Sequence, residues 1–291
     1  MNDYMIRGTA ASGQVRFFAA YTKNTVEFAR RSHVLLPVAT AALGRLMTAG
    51  VMMGSMMKSE EDRLTVKIDC AGPIKGLTVT ADNDGHVKGF VINPDADVPS
   101  KVPGKLNVGD ALDQGILSVI RDTGLKAPYV GQTILQTGEI AEDLAYYFTT
   151  SEQTPSSVAL GVLVDKNRMV RHAGGFIFQM MPGASDEVAE KLEERLEGFT
   201  SVTSALDQGM TIEELVEGLL TSFEPEILER KEVSFRCDCS REKTTAMIEA
   251  LPRTEIEAMI AENHDQEAVC RFCGKRYYFT VDELKGMLEK S

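Results

Sequence analysis

The chain has 291 residues, of which 43% are hydrophobic and 25% charged, as in an ordinary soluble globular protein. This length is sufficient for one sizeable core and a smaller satellite domain. The net charge of −12 argues against nucleic acid as the main partner, because phosphate binding requires a basic patch.

The excess acidic charge is concentrated in one segment. Residues 183–232 carry 14 acidic and 4 basic side chains, whereas residues 1–182 carry 18 of each. Residues 1–4 include no basic region and no leading apolar run. We therefore expect no secretory signal and a cytoplasmic protein.

Residues 34–57 form a long apolar stretch in which Arg45 is the single charged residue. A stretch of this length is compatible with a membrane span. Arg45 near its middle, several Gly and Thr residues and the lack of a second such stretch argue against that interpretation. The pattern predicts a helix buried in the protein, with Pro37 in its first turn.

Alternating apolar residues predict several strands and one further helix. The strands are expected at 64–70, 77–79, 87–92, 116–120, 130–135, 158–164 and 176–180, and the helix at 140–148. The elements do not follow a regular βαβ rhythm, so we predict an α+β fold class with β-sheets around the buried helix. Cys70 lies on the apolar phase of its strand, which indicates an inert core thiol.

Two acidic amphipathic helices are predicted after residue 180. Ser185 is a candidate N-cap for the first, and residues 211–214 have the sequence of a capping box for the second. The apolar stripes are Val188, Leu192, Leu196 and Phe199 in the first helix and Ile212, Leu215, Val216, Leu219 and Phe223 in the second. The simplest interpretation is a helical linker packed on the preceding domain.

Residues 232–291 have the pattern of a separate small module. Ser240 is a predicted N-cap for a helix reaching Leu251, a capping box is predicted at Thr254, and a final helix is predicted to start at residues 280–283. The predicted organisation is an α+β core domain over residues 1–180, an acidic helical linker over 181–231 and a C-terminal metal-binding domain over 232–291.

Four of the five cysteines are clustered in this module. Cys237 and Cys239 form one pair, and Cys270 and Cys273 form a second pair after 30 intervening residues. Zinc binds four tetrahedral thiolates, and such pairs place two sulfurs each on one ion. The sequence therefore predicts one zinc ion bound by these four cysteines, with His264 as a less favoured substitute ligand.

Basic residues surround the cysteine pairs in the sequence. Arg236, Arg241, Lys243, Arg271, Lys275 and Arg276 all lie within four residues of a cysteine. They are expected either to offset the negative charge of the thiolates or to form a solvated rim. Because a module of this size has a small core, loss of the metal is expected to unfold it.

The residues alone leave open whether the site is a structural crosslink or a redox switch. A disulfide within Cys-X-Cys closes a small, strained ring, which makes that spacing unusual for a purely structural site. Zinc-bound thiolates are also the form that peroxide or hypochlorite oxidises. Unfolding of the module would then free the linker helices, whose apolar stripes are suited to holding non-native polypeptides.

The chain resembles a known family, the 33 kDa chaperonins, which are redox-regulated heat-shock holdases of bacteria. The residues that carry the resemblance are Cys237-Asp-Cys239-Ser240-Arg241, Cys270-Arg-Phe-Cys273-Gly274, Gly174-Gly175-Phe-Ile-Phe-Gln179-Met-Met-Pro182, Ala41-Ala42-Leu43-Gly44-Arg45-Leu46 and the run from Asp62 to Pro73. The resemblance covers essentially the whole chain.

The resemblance implies a reduced, zinc-bound, inactive monomer and an oxidised, zinc-free, active form that dimerises. It also implies the disulfide pairs Cys237–Cys239 and Cys270–Cys273, and a linker that unfolds to contact unfolding client proteins without ATP. It implies neither an enzymatic activity nor a nucleic-acid or membrane partner.

Two other functions fit parts of the sequence. A thiol–disulfide oxidoreductase would use Cys270 or Cys273 as the attacking thiolate, although no βαβ pattern accompanies the pair. A zinc-ribbon module for nucleic acid is disfavoured by the acidic balance. The sequence contains no Ser-His-Asp grouping and no phosphate-binding glycine loop, and His33, His86 and His172 are interpreted as structural.

Overall fold

The computed structural model describes residues 2–288, which divide into two compact units. Unit 1 extends to Arg236 and unit 2 begins at Cys237. Unit 1 contains two β-sheets with helices packed against them, and unit 2 contains a β-hairpin and helices. The predicted α+β class is confirmed.

The first sheet of unit 1, sheet A, has five antiparallel strands in the order β10-β1-β2-β9-β8. The strands are β1 (Tyr4–Ala10), β2 (Val15–Tyr21), β8 (Ser156–Val164), β9 (Val170–Met180) and β10 (Glu226–Glu232). Strands β1, β2 and β10 were not predicted from the sequence. The turn between β1 and β2 places Ala11, Ser12 and Gly13 at positive φ, a conformation that only the glycine signals in the sequence.

The second sheet, sheet B, has six strands in the order β11-β5-β4-β3-β6-β7. The strands are β3 (Arg63–Cys70), β4 (Gly76–Ala81), β5 (His86–Val91), β6 (Gly115–Asp122), β7 (Tyr129–Ile134) and β11 (Ser234–Phe235). All pairs are antiparallel except β11 with β5. The five longer strands of sheet B were predicted from their apolar alternation.

The predicted buried helix is α2 (Pro37–Gly54), which packs against strands of both sheets. Nearly all of its residues are buried, which confirms the interpretation of this apolar stretch. Further helices of unit 1 are α1 (Lys23–His33), α3 (Val108–Leu112) and α4 (Ala141–Ser151). Among residues 2–288, no helix has both the length and the hydropathy needed to cross a bilayer.

Arg45, the one charge on α2, is neutralised within unit 1. Its side chain is 11% exposed, and its Nη1 lies 2.7 Å from Glu139 Oε2. Burial alone would raise the pKa of the Glu139 carboxyl, but the Arg45 guanidinium outweighs burial and holds that pKa below its usual range. The loop that carries Glu139 is fixed by Asp143, whose buried carboxylate accepts hydrogen bonds from the backbone N–H groups of residues 136, 137, 138 and 140.

Three helices, which we call the linker helices, cover the face of sheet A opposite α2. They are α5 (Asp186–Glu197), α6 (Val202–Asp207) and α7 (Ile212–Leu220), and a 3₁₀ turn follows at Thr221–Phe223. Ser185 caps α5 through the backbone N–H of Val188, and Thr211 forms the predicted capping box with Glu214. Helix α6 was not predicted, because six residues are too few for a helical period to be recognised.

The linker segment predicted over residues 181–231 contains these helices and most of β10, and it belongs to unit 1. The boundary between the two units lies between Arg236 and Cys237, so unit 2 begins five residues after the predicted start of the C-terminal domain. The division into core domain, linker and metal-binding domain remains a functional prediction.

Unit 2 is built on the hairpin of β12 (Gln266–Val269) and β13 (Arg276–Phe279). Its helices are α8 (Arg241–Glu249), α9 (Arg253–Ala261) and α10 (Val281–Leu288). Ser240 caps α8 as predicted, and at the predicted start of the final helix Thr280 and Glu283 form a capping box. The capping box predicted at Thr254 is wrong, because Pro252 occupies the N-cap position and Thr254 already lies inside the first turn.

Replacing Glu139 by Ala is expected to lower the free energy of unfolding of unit 1 by about 2 kcal/mol, because the Arg45 guanidinium loses its carboxylate in a largely buried site. The ion pair makes its full contribution to the free energy of unfolding when the pH is above the ordinary glutamate pKa. This contribution is lost as the pH falls through the lowered pKa of Glu139 in the folded state. Denaturant unfolding at neutral and acidic pH measures both effects. Glu61→Ala, which removes an exposed carboxylate, is the matched control. Equal losses for both variants at neutral pH would contradict this assignment.

Candidate metal centre

The two cysteine pairs lie outside the helices and strands of unit 2, one before its first helix and the other within its hairpin. Cys237 and Cys239 occupy the extended segment that leads into α8. Cys270 and Cys273 lie in the turn that joins β12 to β13. This turn is closed by hydrogen bonds from Gly274 N to Cys270 O and from Cys270 N to Lys275 O, at 2.8 and 2.9 Å. Gly274 has a φ of 70°, which its missing side chain permits.

The structure brings all four predicted sulfurs together. The Sγ atoms lie within 4.8 Å of one another, and none of the four cysteines forms a disulfide. Cys237 Sγ is 3.7 Å from Cys270 Sγ, and Cys239 Sγ is 3.4 Å from Cys273 Sγ. Sulfurs bound tetrahedrally at about 2.3 Å from zinc are about 3.8 Å apart, so this donor set fits a zinc ion.

Tyr277 is a contact of the site that the sequence analysis missed. Its hydroxyl donates a hydrogen bond to Cys239 Sγ at 3.2 Å. Burial raises the pKa of the Cys239 thiol, but this hydrogen bond and those from the neighbouring thiols outweigh burial and lower the pKa to about 7. No local motif identifies Tyr277, because its position depends on the pairing of β13 with β12.

Two of the other sulfurs resist ionisation when no cation is near. Burial raises the pKa of Cys237, and burial together with the adjacent thiols raises the pKa of Cys273 strongly. Without a cation, ionising one of the four thiols is therefore much easier than ionising all four. A divalent cation among the sulfurs supplies the attraction that allows all of them to be thiolates.

The basic residues near the cysteines are largely engaged with other groups. Arg241 pairs with Glu283 at 2.7 Å, and Arg276 pairs with Glu267 at 2.8 Å. Lys243 pairs with Asp238. Since these three charges are shared with carboxylates, the contacts favour the solvated rim over direct compensation of the thiolates.

The substitute ligand that the sequence offered, His264, lies outside the cluster. His264 Nε2 is 3.2 Å from Glu262 and does not belong to the group of four donors. Cys70 is half-buried against the core of unit 1, and burial raises the pKa of its thiol, as expected of an unreactive cysteine. His86 and His172, which had no evident partners in the sequence, contact Asp82 and Asp207 respectively.

Comparison with known proteins identifies relatives along the full chain. The family model described as Hsp33 protein matches residues 3–280. A 33 kDa chaperonin of Lachnoclostridium phytofermentans is 54% identical, with 100% of both chains covered. A 33 kDa chaperonin of Agathobacter rectalis is 52% identical, with 99% of this chain and 100% of the relative covered.

The fold is also found among solved structures. The crystal structure of a 33 kDa chaperonin (Heat shock protein 33 homolog) from Thermotoga maritima matches with a TM-score of 0.93 at 36% sequence identity. The match covers 100% of this chain and 99% of the other.

Replacing any one of the four clustered cysteines by Ser is expected to lower the zinc bound by the reduced protein, because one of four ligand bonds is lost. Zinc analysis after dialysis against a weak chelator measures the effect. Cys70→Ser is the matched control and retains one ion per chain. Full zinc retention by a variant of Cys237, Cys239, Cys270 or Cys273 would remove that residue from the ligand set.

Tyr277→Phe is expected to weaken zinc binding by roughly 10- to 100-fold, as is usual when a hydrogen bond to a metal ligand is deleted. Competition with a chromogenic chelator gives the affinity. Tyr278→Phe, which removes a hydroxyl from a neighbouring side chain that is 55% exposed, is the control. The same affinity in both variants would show that the Tyr277 hydroxyl does not act on the site.

Proposed function

The chain belongs to the Hsp33 family, and from this premise we propose that it is an ATP-independent holdase that binds unfolding proteins under oxidative stress. Its relatives are named chaperonins, which are proteins that bind other polypeptides. The observation that carries the proposal is the cluster of four sulfurs in a unit with little other means of staying folded.

The hydrophobic core of unit 2 is small. Its buried apolar residues are Ile248, Ile256, Tyr277, Phe279, Leu284 and Met287. A core of this size contributes at most about 3–5 kcal/mol of stability. A structural zinc site contributes roughly 10–16 kcal/mol of apparent binding free energy, so ligation decides whether unit 2 is folded.

Oxidation of the thiolates removes the donors and so ends metal binding. Each disulfide forms when two thiolates give two electrons to peroxide, which takes up two protons and is reduced to two molecules of water. The proposed pairs are Cys237–Cys239 and Cys270–Cys273. The sulfur contacts of 3.7 and 3.4 Å both join residues of different pairs, so pairing within each motif requires the sulfurs to turn toward their sequence neighbours.

We propose that the linker helices are the segment that responds to oxidation of the cysteines. Their apolar faces bury Val202, Leu206, Ile212 and Val216 against the face of sheet A that carries Phe17 and Phe176. When they are released, both surfaces become available to non-native polypeptides, while the acidic outer faces maintain solubility.

Polar contacts add to this docking. Tyr4 donates a hydrogen bond to Glu213, and Arg230 lies 3.1 Å from the same carboxylate. Within the linker, Arg195 of α5 donates to the carbonyl oxygen of Gly218 in α7 at 2.7 Å, which holds these two helices together. The last strand of unit 1, β11, ends two residues before Cys237. Strands β10 and β11 therefore connect the linker helices to the first cysteine of unit 2, and we propose that unfolding of unit 2 acts on the linker through this segment.

We further propose a cytoplasmic protein that is monomeric when reduced and dimeric when oxidised, with unfolding clients as its partners. Neither an enzymatic activity nor binding to nucleic acid or membranes forms part of this function. A thiol–disulfide oxidoreductase would instead reduce insulin disulfides with turnover, which we do not expect of this chain.

Peroxide with mild heating is expected to eliminate four of the five thiols, release zinc, form the two proposed disulfides and suppress aggregation of a thermally unfolding client. Thiol titration, zinc analysis, peptide mapping and light scattering measure these changes. Cys70→Ser, as the control, responds like the wild type. Client light scattering that is unchanged by the oxidised protein would refute the holdase function.

A further inference from the structure

A pair of facing glycines creates a gap in the surface to which the linker helices dock. Gly161 of the edge strand β8 lies directly opposite Gly174 of β9. Directly opposed residues in a β-pair point to the same face of the sheet. Two positions without side chains therefore adjoin on sheet A, beside the apolar surface formed by Phe176 and Phe178.

Helix α6 occupies this gap. A Cβ built on Gly161 would lie 2.7 Å from Thr203 Cγ2, 3.3 Å from Thr203 N and 3.6 Å from Thr203 Cβ. A Cβ built on Gly174 would lie 3.3 Å from Leu206 Cδ1 and 3.4 Å from Ile212 Cδ1. The linker helices thus approach the sheet at distances that a single methyl group on Gly161 would prevent.

The three atoms nearest to a Cβ at Gly161 all belong to Thr203. By contrast, a Cβ at Gly174 would also meet Ala20 O at 2.7 Å, which is backbone of the sheet itself. Gly161 is therefore the position at which a methyl group acts on docking of the linker without entering the core of sheet A.

Thr203 has little freedom to give way. Its hydroxyl lies 2.9 Å from the Ser201 hydroxyl at the N-cap of α6. Its neighbours Val202 and Leu206 are 2% and 4% exposed. Because α6 has only six residues, a displacement of Thr203 also displaces these two buried anchors.

We propose that Gly161 is a positioning residue for the linker: its missing side chain admits Thr203 and so sets how firmly α6 docks on sheet A in the reduced protein. The consequence for chaperone activity rests on the proposed function. A side chain at 161 shifts the equilibrium toward the undocked linker without any change at the cysteines.

Gly161→Ala tests this in the reduced, zinc-bound full chain. Hydrogen exchange of the amides of α6 and α7 is expected to accelerate by about tenfold or more, because overpacking favours local opening. Sheet A and unit 2 keep their protection and the zinc content is unchanged. Suppression of client aggregation in the absence of oxidant is expected to rise above that of the reduced wild type.

Two further variants separate the steric contact from general effects. Thr203→Ser removes the Cγ2 methyl and keeps the hydroxyl, so Gly161→Ala combined with Thr203→Ser is expected to restore slow exchange. Gly198→Ala adds a methyl to the same linker at negative φ with no atom within 4 Å, and is expected to leave exchange unchanged.

The outcomes distinguish this proposal from the proposed function. Faster hydrogen exchange in the linker helices that Thr203→Ser reverses supports the positioning role of Gly161. If client aggregation is not suppressed in that case, the holdase function fails while the role of Gly161 stands. Unchanged exchange in Gly161→Ala, or faster exchange that Thr203→Ser does not reverse, overturns the role of Gly161. If Gly161→Ala does not fold, a folded double variant supports the contact with Thr203, and an unfolded one overturns it.

Discussion

Ligation of one cation by four sulfurs is the interaction on which the account of this protein depends. In unit 2 the hairpin turn and the segment before α8 meet at Cys237, Cys239, Cys270 and Cys273, beside a small apolar core. In the proposed function, the energy of ligation takes the place that a hydrophobic core has in larger domains. Because thiolates are oxidised readily, the groups proposed to stabilise unit 2 would also make it sensitive to oxidants.

Sheet A is the second determinant, because both of its faces are covered by apolar side chains. One face packs on α2 in the permanent core, and the other supports the linker helices. The two coverings differ in kind: α2 is a continuous buried helix, whereas the linker consists of short helices with many exposed acidic residues. The linker helices are therefore suited to detach from sheet A, while α2 keeps unit 1 folded. In our proposal, the missing side chain of Gly161 sets how firmly the linker helix α6 docks on sheet A.

The features that the sequence predicted well are those encoded locally. The apolar run of α2, the alternation of β3 and the spacing of the cysteine pairs each depend on neighbouring residues. The features that it missed depend on contacts between distant residues: β1 is completed by β10 far along the chain, and Tyr277 contacts Cys239, which lies 38 residues earlier in the sequence. The error at Thr254 arose because a local motif was accepted although Pro252 had already fixed the start of α9.

Hydrogen exchange of the reduced protein, before and after its metal is removed by a chelator under strictly reducing conditions, tests the central claim most directly. The account predicts that amides throughout 237–288 lose their protection, while those of α2 and the central strands of sheet A keep theirs. A reduced, metal-free protein that retains full protection across 237–288 would contradict it.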